Sequence, residues 1–534
     1  AGSKAAAASN PKKAPKKKKN KNGKQQSSFV EEVDAFLGQI NDDNEDADYD
    51  DWSDDEKLVK MDCFLSNASE TPINSGYVPY KICMNESNPQ RPLWLAAETK
   101  ERCKLLSYAC WRRLDPTEME QWKKGIIRAI PTVALMSIKR NGTYKCRLVV
   151  LGNNVNALPG ADQSIYAGTV SSQSNRVMLC LGAKHRHSLA CYDVGNAFIN
   201  ASIKRLVCVR LPESESWNQG PECNGQPDLK LRILEKCLYG LKESPRLWAE
   251  TYEQGLVSLG FIPSRIHPGV FVKFSDDIDK ETGNKEVRFM LSCYVDDCVL
   301  SAKRKQDLAP MLKKLNDLYS LSMIEPDEFK DPVDGLVWQR YDLIGSDLLW
   351  SYERSSVKIT MTRYIQKTLA QYHMQNCTGI DAPTIDEKSL YDPKQEECGS
   401  FNLRQFCGTI QWVATQARPD IQHPISVLAR VTGMKVTKAT VHACKRILKY
   451  LKQTMYEGVG YSPEGEKEFR EIVQRMVKHK ENIAISSLNQ FDYKKLAQHD
   501  VVSFADSSFC STHEFKSTTG VIIYCCGMAV SWKA

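Results

Sequence analysis

The stretch FMLSCYVDDCVLSA (Phe289–Ala302) decides the fold of this chain. Two short apolar runs, typical of buried strands, flank the adjacent pair Asp296-Asp297. Carboxylates between buried strands are costly unless a positive partner neutralises them, and an oxygen-ligated divalent cation such as Mg²⁺ is a natural partner. The alternative is an exposed Asp-Asp hairpin turn, and this stretch alone does not decide between the two.

A third carboxylate strengthens the interpretation of this pair as a metal site. Asp193 ends another apolar run, SLACY (Ser188–Tyr192), and a short helix is expected near Asn196–Ile203. Three carboxylates on two neighbouring strands fit the two-cation clamp used for in-line phosphoryl transfer. In that chemistry one cation activates the attacking hydroxyl, and the other binds oxygens of the leaving pyrophosphate.

Strand-like and helix-like patterns alternate along the rest of the chain. We predict a β-hairpin over 129–152 with Asn141-Gly142 as its turn, helices over 172–190, 245–259, 308–319 and 441–452, and strands over 500–532. This mixture predicts an α+β fold with a polymerase-like palm rather than a doubly wound parallel sheet.

Length and composition exclude several classes of protein. The 534 residues suggest several domains, and a hydrophobic fraction of 42% excludes a wholly disordered chain. No apolar run is long enough for a membrane-spanning helix, and no secretory leader is visible after Ala1. The 19 cysteines lack any CxxC pair, which predicts reduced thiols in an intracellular protein.

Charge is strongly segmented along the chain. Residues 1–24 carry nine lysines and no acid, whereas residues 31–56 carry thirteen acids and no base. We expect 1–60 to be a disordered tail, first basic and then acidic. From Lys57 onward the chain holds an excess of about 11 positive charges, which suits a polyanionic partner.

Six blocks around YVDD occur in the order of a known family. The chain resembles the reverse transcriptase of copia-type LTR retrotransposons (Pseudoviridae). The matching blocks are YKCRLVVLG (Tyr144–Gly152), YDVGNAFIN (Tyr192–Asn200), VCVRLPE (Val207–Glu213), CLYGLKESPRLW (Cys237–Trp248), YVDD (Tyr294–Asp297), FCGTIQWVATQARPDI (Phe406–Ile421) and HACKRILKYLK (His442–Lys452). YVDD alone is weak, whereas the collinear set is specific.

The resemblance implies an RNA-directed DNA polymerase. Asp193, Asp296 and Asp297 match the family's catalytic metal ligands, and the backbone carbonyl of Val194 is implied as a further ligand. The implied cofactor is a pair of Mg²⁺ ions, for which Mn²⁺ can substitute. The implied partners are an RNA or DNA template with a primer, and dNTPs; no membrane partner is expected, and the oligomeric state stays open.

The resemblance also implies a nucleotide pocket. Phe198 matches the aromatic gate that excludes a 2′-hydroxyl, and Lys145 and Arg147 match the basic pair that meets the triphosphate. Tyr239 and Gly240 fall where the family's loop approaches nucleotide and template. From the residues alone, the alternatives are that Phe198 is a core aromatic and that Lys145 and Arg147 carry ordinary surface strand charge.

The implied architecture is a right-hand polymerase fold with fingers, palm and thumb, then a connection region and an incomplete ribonuclease H-like β-sheet. We expect a poorly defined lead-in at 61–110, fingers and palm at 111–330, thumb and connection-like helices at 331–460, a linker at 461–499 and the ribonuclease H-like start at 500–534. Such a protein is expected in a cytoplasmic particle or the nucleus, and not to be secreted.

The last segment resembles the start of the family's ribonuclease H domain. Asp506 matches its first catalytic acid, but only 28 residues follow Asp506 in this sequence. Because the helix that supplies the essential Glu is not among them, we expect no ribonuclease H activity from these residues. Smaller departures from the family are Glu243 in the LKxSP block and LGNN after Val150.

Two main hypotheses follow for function. The first is an active polymerase, favoured because the three carboxylates, the gate aromatic and the basic pair survive together. The second is a catalytically inactive or co-opted fragment that only binds nucleic acid, favoured by the incomplete last domain and the unusual tails. An unrelated Mg²⁺ nuclease would share the carboxylates but not Phe198 or the LYGLK block.

Overall fold

The strands of the described chain form four sheets, which we call the first, central, third and fourth sheets. The computed structural model describes residues 77–138, 142–152, 166–212, 217, 230–278, 285–398, 401–481, 500–508 and 517–534. The predicted tail of 1–60, the turn residue Asn141 and residues 482–499 of the predicted linker therefore lie outside the described residues.

Strands and helices alternate along most of the described chain. Up to residue 210 the elements are β1 (Tyr77–Val78), α1 (Tyr80–Cys83), α2 (Arg91–Ser107), β2 (Trp111–Arg112), α3 (Pro116–Lys123), β3 (Ile130–Ile138), β4 (Tyr144–Val150), α4 (Ser172–Lys184), β5 (Ser188–Val194), a 3₁₀ helix (Ala197–Asn200) and β6 (Cys208–Arg210). Residues 231–360 contain β7 (Leu231–Leu234), α5 (Ser244–Ser258), β8 (Ile262–Pro263), β9 (Val270–Ile278), β10 (Lys285–Tyr294), β11 (Asp297–Ala302), α6 (Lys305–Leu318), β12 (Leu321–Ile324), β13 (Asp327–Lys330), β14 (Val337–Leu343), β15 (Ser346–Ser351) and β16 (Ser356–Thr360). The rest are α7 (Thr362–Gln371), α8 (Glu387–Leu390), α9 (Leu403–Gln416), a second 3₁₀ helix (Pro419–Ile421), α10 (Gln422–Arg430), α11 (Lys438–Gln453), β17 (Gly458–Tyr461), α12 (Pro463–Glu481), β18 (Val501–Ser508), β19 (Thr518–Cys525) and β20 (Met528–Lys533).

The central sheet has the strand order β12-β5-β11-β10-β9-β8. Side chains on one of its faces, such as Tyr192, Leu291 and Leu300, are buried against Trp248 of α5 and Leu315 of α6. Because successive strand residues point to opposite faces, Asp193 and Asp297 belong to the face away from this core.

Helix α4 packs on that other face of the central sheet. Met178 of α4 is buried with Val270 and Met290, and the Ser292 hydroxyl donates to Asn175 Oδ1 over 2.9 Å. Helices therefore pack on both faces of the sheet, and the carboxylates lie where β5 ends and β11 begins.

The first sheet has the order β1-β3-β6-β7-β2, with β4 paired to β3. The β3–β4 pairing is antiparallel, which confirms the predicted hairpin. Helix α2 covers β4, and its Trp94 is buried among Met136 and Cys146 with its ring edge-on to Tyr144 at 4.5 Å.

The third sheet runs β13-β14-β15-β16-β17 and the fourth β18-β19-β20, each with consecutive antiparallel neighbours. Helix α4 reaches the fourth sheet through Arg176, whose Nε donates to the Val530 carbonyl over 2.8 Å and whose guanidinium lies 4.2 Å from the Trp532 ring centre. No helix among the described residues is long and apolar enough to span a bilayer.

Helix ends follow the backbone conformations that the local sequence permits. Helix α5 falls in the predicted range, and Gly260, at φ +84°, ends it while the Phe261 N–H bonds the Leu256 carbonyl over 3.0 Å. Helix α4 ends earlier than predicted, because Arg186 adopts φ +58° and the His187 N–H bonds the Gly182 carbonyl. Strand β5 then begins at Ser188.

Three expectations about chain organisation need correction. Residues 77–110 are not a poorly defined lead-in, because α2 packs on the first sheet through Trp94. Residues 331–460 are not all helical, since β14, β15 and β16 occupy 337–360. Residues 463–481 belong to α12 and not to a linker.

Candidate active site

The backbone register of the central sheet brings Asp193 and Asp297 together. Strands β5 and β11 are antiparallel, and Asp297 is paired directly with Asp193. Directly opposed residues of an antiparallel pair share a face, with Cβ atoms about 4.5–5.5 Å apart. Both carboxylates therefore project from neighbouring strand ends towards the same volume, and both side chains are half-buried.

Asp296 lies in the turn between β10 and β11. Tyr294 and Asp297 are paired, so Val295 and Asp296 form a two-residue hairpin turn. Val295 has φ +60°, which is strained for a β-branched residue and persists only where the surroundings hold it. The Trp248 Nε1–H donates to the Val295 carbonyl over 2.7 Å, and the Val194 N–H donates to the Asp296 carbonyl over 2.8 Å. The turn is thus fixed from two sides, by α5 and by β5.

Several negatively charged carboxylates lie close together in the site. Burial raises the pKa of Asp297 to about 6, and the neighbouring charges of Asp296, Asp193 and Asp342 contribute to the rise. This carboxyl group therefore ionises less readily than a free aspartate, and a cation bound beside it would favour the ionised form. The donor set consists of carboxylate oxygens, which suits a hard cation such as Mg²⁺ or Mn²⁺.

The carboxylates form an open arrangement rather than a closed cage. Within the described residues, the sets of three ligand atoms that all lie within 4.8 Å of one another are formed by other residues, near Cys526. An open set is expected where substrate oxygens and water complete the coordination. The residues therefore fit divalent cations that are shared with a substrate.

The side chains of Arg147, Tyr239 and Phe198 form an aromatic and cationic wall beside the carboxylates. The Phe198 and Tyr239 rings meet edge-on with centroids 4.9 Å apart, and the Arg147 guanidinium lies 4.7 Å from the Tyr239 ring centre. The pKa of Tyr239 is raised chiefly by burial, opposed by the charge of Arg147 and reinforced by those of Asp296 and Asp193. Tyr239 thus links the basic strand β4 to the acidic sheet end.

Phe198 reaches this wall because the chain turns sharply after β5. Asn196 adopts φ +60°, and the following 3₁₀ helix carries Phe198. The Phe198 side chain is half-buried and packs partly against the central core. The alternative of a core aromatic is therefore only partly correct, since one edge of the ring meets Tyr239 outside that core.

Gly240 is required by a close backbone contact. It has φ +88°, and a Cβ atom there would lie 2.0 Å from the Val150 carbonyl oxygen. The Val150 N–H also donates to the Tyr239 carbonyl over 2.8 Å, which fixes the loop to β4. Lys145 lies on β4 two residues before Arg147 and therefore on the same face.

Sequence reasoning missed several residues that shape the site. The helical spacing assigns Trp248 only to a core, although its indole also holds the YVDD turn. The negative charge of Asp342, on β14, helps to raise the pKa of Asp297, and no local sequence motif identifies Asp342. Glu243, a departure from the family pattern, is paired with Arg205 over 2.6 Å at a largely buried position. Arg205 compensates the extra charge, so the departure leaves the loop intact.

Asp506 lies away from this cluster, on β18 of the fourth sheet. Its side chain is exposed, and the residue paired with it on β19 is Gly520. The structure therefore places no carboxylate opposite Asp506 in the described part of its sheet.

The match to a known family covers the same part of the chain. Residues 126–386 match the family described as reverse transcriptase (RNA-dependent DNA polymerase). The matched range contains every site residue named above except Asp506. Proteins of this family generally use divalent metals.

Three relatives give the same indication. The chain is 26% identical over 322 residues to the Retrovirus-related Pol polyprotein from transposon TNT 1-94 of Nicotiana tabacum, covering 58% of this chain and 22% of the relative. It is 26% identical over 325 residues to the corresponding polyprotein from transposon RE1 of Arabidopsis thaliana, covering 59% and 19%. It is 23% identical over 363 residues to the Transposon Ty1-NL1 Gag-Pol polyprotein of Saccharomyces cerevisiae, covering 65% and 19%. The chain thus spans about a fifth of the length of the curated relatives it matches.

Proposed function

We propose that this chain, which carries a reverse transcriptase domain homologous to those of copia-type Pol polyproteins, is an RNA-directed DNA polymerase. It would add dNTPs to the 3′-hydroxyl of a primer on an RNA or DNA template. The observation that carries the proposal is the register that pairs Asp193 with Asp297 directly beside the Asp296 turn.

The carboxylates would hold two divalent cations, with Mg²⁺ as the proposed species and Mn²⁺ as a substitute. Asp193, Asp296 and Asp297 supply side-chain oxygens, and the Val194 carbonyl supplies a backbone oxygen. Cations bound there would lower the pKa of the primer hydroxyl and neutralise charge on the leaving pyrophosphate. The chain's own contribution is to hold the oxygens in place, because Val194 and Trp248 fix the turn before any substrate binds.

The wall formed by Arg147, Tyr239 and Phe198 would bind and orient the nucleotide. The Arg147 guanidinium matches the fork geometry of phosphate oxygens, and Lys145 adds a second positive charge on the same strand face. The Phe198 ring, five residues after Asp193, would lie under the sugar and leave no room for a 2′-hydroxyl. Gly240 lets the loop approach β4 closely enough to carry Tyr239 into this wall.

Primer extension on a homopolymer template tests the proposal. The full chain should extend an oligonucleotide primer with the complementary dNTP in Mg²⁺, and also in Mn²⁺. Asp296→Asn should abolish extension while leaving template binding nearly unchanged, because it removes a metal ligand rather than a phosphate contact. Asp317→Asn, at an exposed position of α6, is the matched control.

Two results would contradict the proposal. Extension that survives in Asp296→Asn would show that the metal assignment is wrong. A wild-type chain that binds primer and template without extending them would favour the hypothesis of a fragment that only binds nucleic acid.

A further inference from the structure

Three buried thiols meet where helix α4 contacts the fourth sheet. They are Cys180 of α4, Cys525 at the end of β19 and Cys526 in the following turn. Their sulfur atoms all lie within 4.8 Å of one another, and those of Cys525 and Cys526 are 4.0 Å apart. The three residues are at most 3% exposed, so they are sheltered from solvent thiols and oxidants.

The hairpin between β19 and β20 presents two adjacent sulfurs to the helix. Cys526 and Gly527 have φ +50° and φ +85° and form a tight two-residue turn. The residues that flank this turn, Cys525 and Met528, are paired across the two strands. The Cys526 N–H donates to the Asp500 carbonyl, and the Cys180 thiol donates to the Cys525 carbonyl over 3.3 Å. A non-glycine residue at positive φ is costly, so the position of Cys526 is held by its surroundings.

Charged groups surround the sulfur of Cys526. Lys184 Nζ lies 3.2 Å from that sulfur, 3.0 Å from Glu466 and 2.9 Å from Asp500. The neighbouring thiols of Cys180 and Cys525, together with Lys184, hold the pKa of Cys526 well below its usual range. Cys526 also forms a second set of ligand atoms with Glu466 and Asp500, again within 4.8 Å of one another.

We propose that Cys180, Cys525 and Cys526 form a binding site for a thiophilic divalent metal of the zinc class, with Asp500 as the fourth ligand. Zinc bound by thiolates at about 2.3 Å in a tetrahedron separates the sulfurs by about 3.8 Å, close to the spacing within the cluster. Asp500 is the more accessible of the two candidate carboxylates, since its side chain is 59% exposed, against 14% for Glu466.

The binding reaction balances in charge and protons. The metal displaces the thiol proton of each cysteine ligand that is still protonated, and those protons go to solvent. Three thiolates and a carboxylate around a divalent ion leave net negative charge, which Lys184 offsets through its N–H contacts with Cys526 and Asp500. This soft site is chemically distinct from the oxygen ligands of the central sheet.

A bound metal would connect the fourth sheet to the helix behind the central sheet. The connection spans 345 residues of sequence, from Cys180 to Cys525. The same interface is held independently by Arg176, whose side chain bonds the carbonyls of Val530, Thr415 and Gln416. Loss of one cysteine is therefore expected to remove the metal without undocking the sheet.

Spectroscopic titration of the reduced full chain with Co²⁺, followed by displacement with Zn²⁺, tests the proposal. The wild type should bind about one ion with thiolate-to-metal charge-transfer absorption, and equimolar Zn²⁺ should abolish that absorption. Cys180→Ser and Cys525→Ser should lose the absorption. Cys407→Ala, which removes a buried thiol of α9 outside the cluster, should keep it.

Lys184→Gln sharpens the test, because it keeps all ligands. It should weaken Zn²⁺ binding by about tenfold, as expected for a group that contacts a ligand and not the metal. A wild-type chain without charge-transfer absorption would overturn the proposal, as would absorption that persists equally in Cys180→Ser and Cys525→Ser. A Cd²⁺ titration of the wild type alone, whose charge-transfer intensity should correspond to three thiolates, remains decisive if a variant fails to fold. None of these readouts depends on polymerase activity.

Discussion

Two aspartates on strands of this molecule have opposite surroundings. At the end of the central sheet, Asp297 is paired with Asp193, and burial with neighbouring negative charge raises its pKa to about 6. On the fourth sheet, Asp506 is exposed and paired with Gly520. The resemblance of the sequence predicts a catalytic acid at both positions.

The difference between them is a matter of backbone register. A metal site built from carboxylates needs strand pairing that places several of them at one level, and nearby groups that hold the backbone. The central sheet provides both, through Asp193 and through the bond from Trp248 to the Val295 carbonyl. In the described residues of the fourth sheet, the strand neighbour of Asp506 offers no side chain at all.

The largest expected effect separates these two positions directly. Asp297→Asn should lower primer extension by about a thousandfold or more, since metal-ion stabilisation of the transition state amounts to several kcal/mol. Asp506→Asn should leave extension unchanged. Single-turnover rates on one primer and template measure both, and equal losses in the two variants would remove the distinction.

A second effect concerns sugar selectivity at the central site. Phe198→Leu replaces the ring that meets Tyr239 with a smaller aliphatic side chain. It should raise the incorporation of ribonucleotides relative to deoxyribonucleotides by about 10- to 100-fold. The ratio of kcat/KM for the two nucleotides measures it. Phe329→Leu on β13 serves as a control. An unchanged ratio in Phe198→Leu would show that Phe198 contributes to packing and not to sugar selectivity.

A smaller effect is expected at the basic strand. Arg147→Lys keeps the charge but loses the fork geometry and the contact with the Tyr239 ring, so KM for dNTP should rise about tenfold with little change in primer binding. Steady-state kinetics with varied dNTP measure this change. A matching loss of primer affinity would instead place Arg147 on the nucleic-acid backbone.

The smallest effect is on stability, and its sign follows from the pKa of Asp297. The pKa of Asp297 is higher in the folded state than in the unfolded state. The contribution of protonated Asp297 to the free energy of unfolding is therefore fully present below the unfolded pKa of 3.8 and is lost as the pH rises through about 6. Metal-free Asp297→Asn should therefore be more stable than wild type above that range, by about 1–2 kcal/mol after allowing for partial exposure, with little difference near pH 4. Urea unfolding in a chelator measures it, and a difference independent of pH would contradict the assignment.

Much of the central site could be predicted from sequence because its parts are local. The runs on either side of YVDD form β10 and β11, the β3–β4 hairpin is present as predicted, and α5 lies where the spacing of Trp248 and Leu256 places it. Each of these elements is decided by side chains within about a dozen residues. The register that pairs Asp193 with Asp297 is consistent with that prediction.

The parts that sequence did not reveal depend on distant contacts. Strands β14 to β16 lie in a region expected to be helical, because their burial comes from pairing across a sheet and not from a distinctive local period. The effect of Asp342 on Asp297 and the pairing of Glu243 with Arg205 join separate segments. The cysteine cluster joins residues so far apart in sequence that no spacing rule could find it.

The most direct test of the central claim is to locate divalent ions by anomalous diffraction. A crystal of the chain with a primer terminated at its 3′ end, a template, a matching dNTP and Mn²⁺ should show two anomalous peaks within coordination distance of the carboxylates of Asp193, Asp296 and Asp297. Mn²⁺ bound away from these oxygens, with the nucleotide ordered in the crystal, would contradict the account.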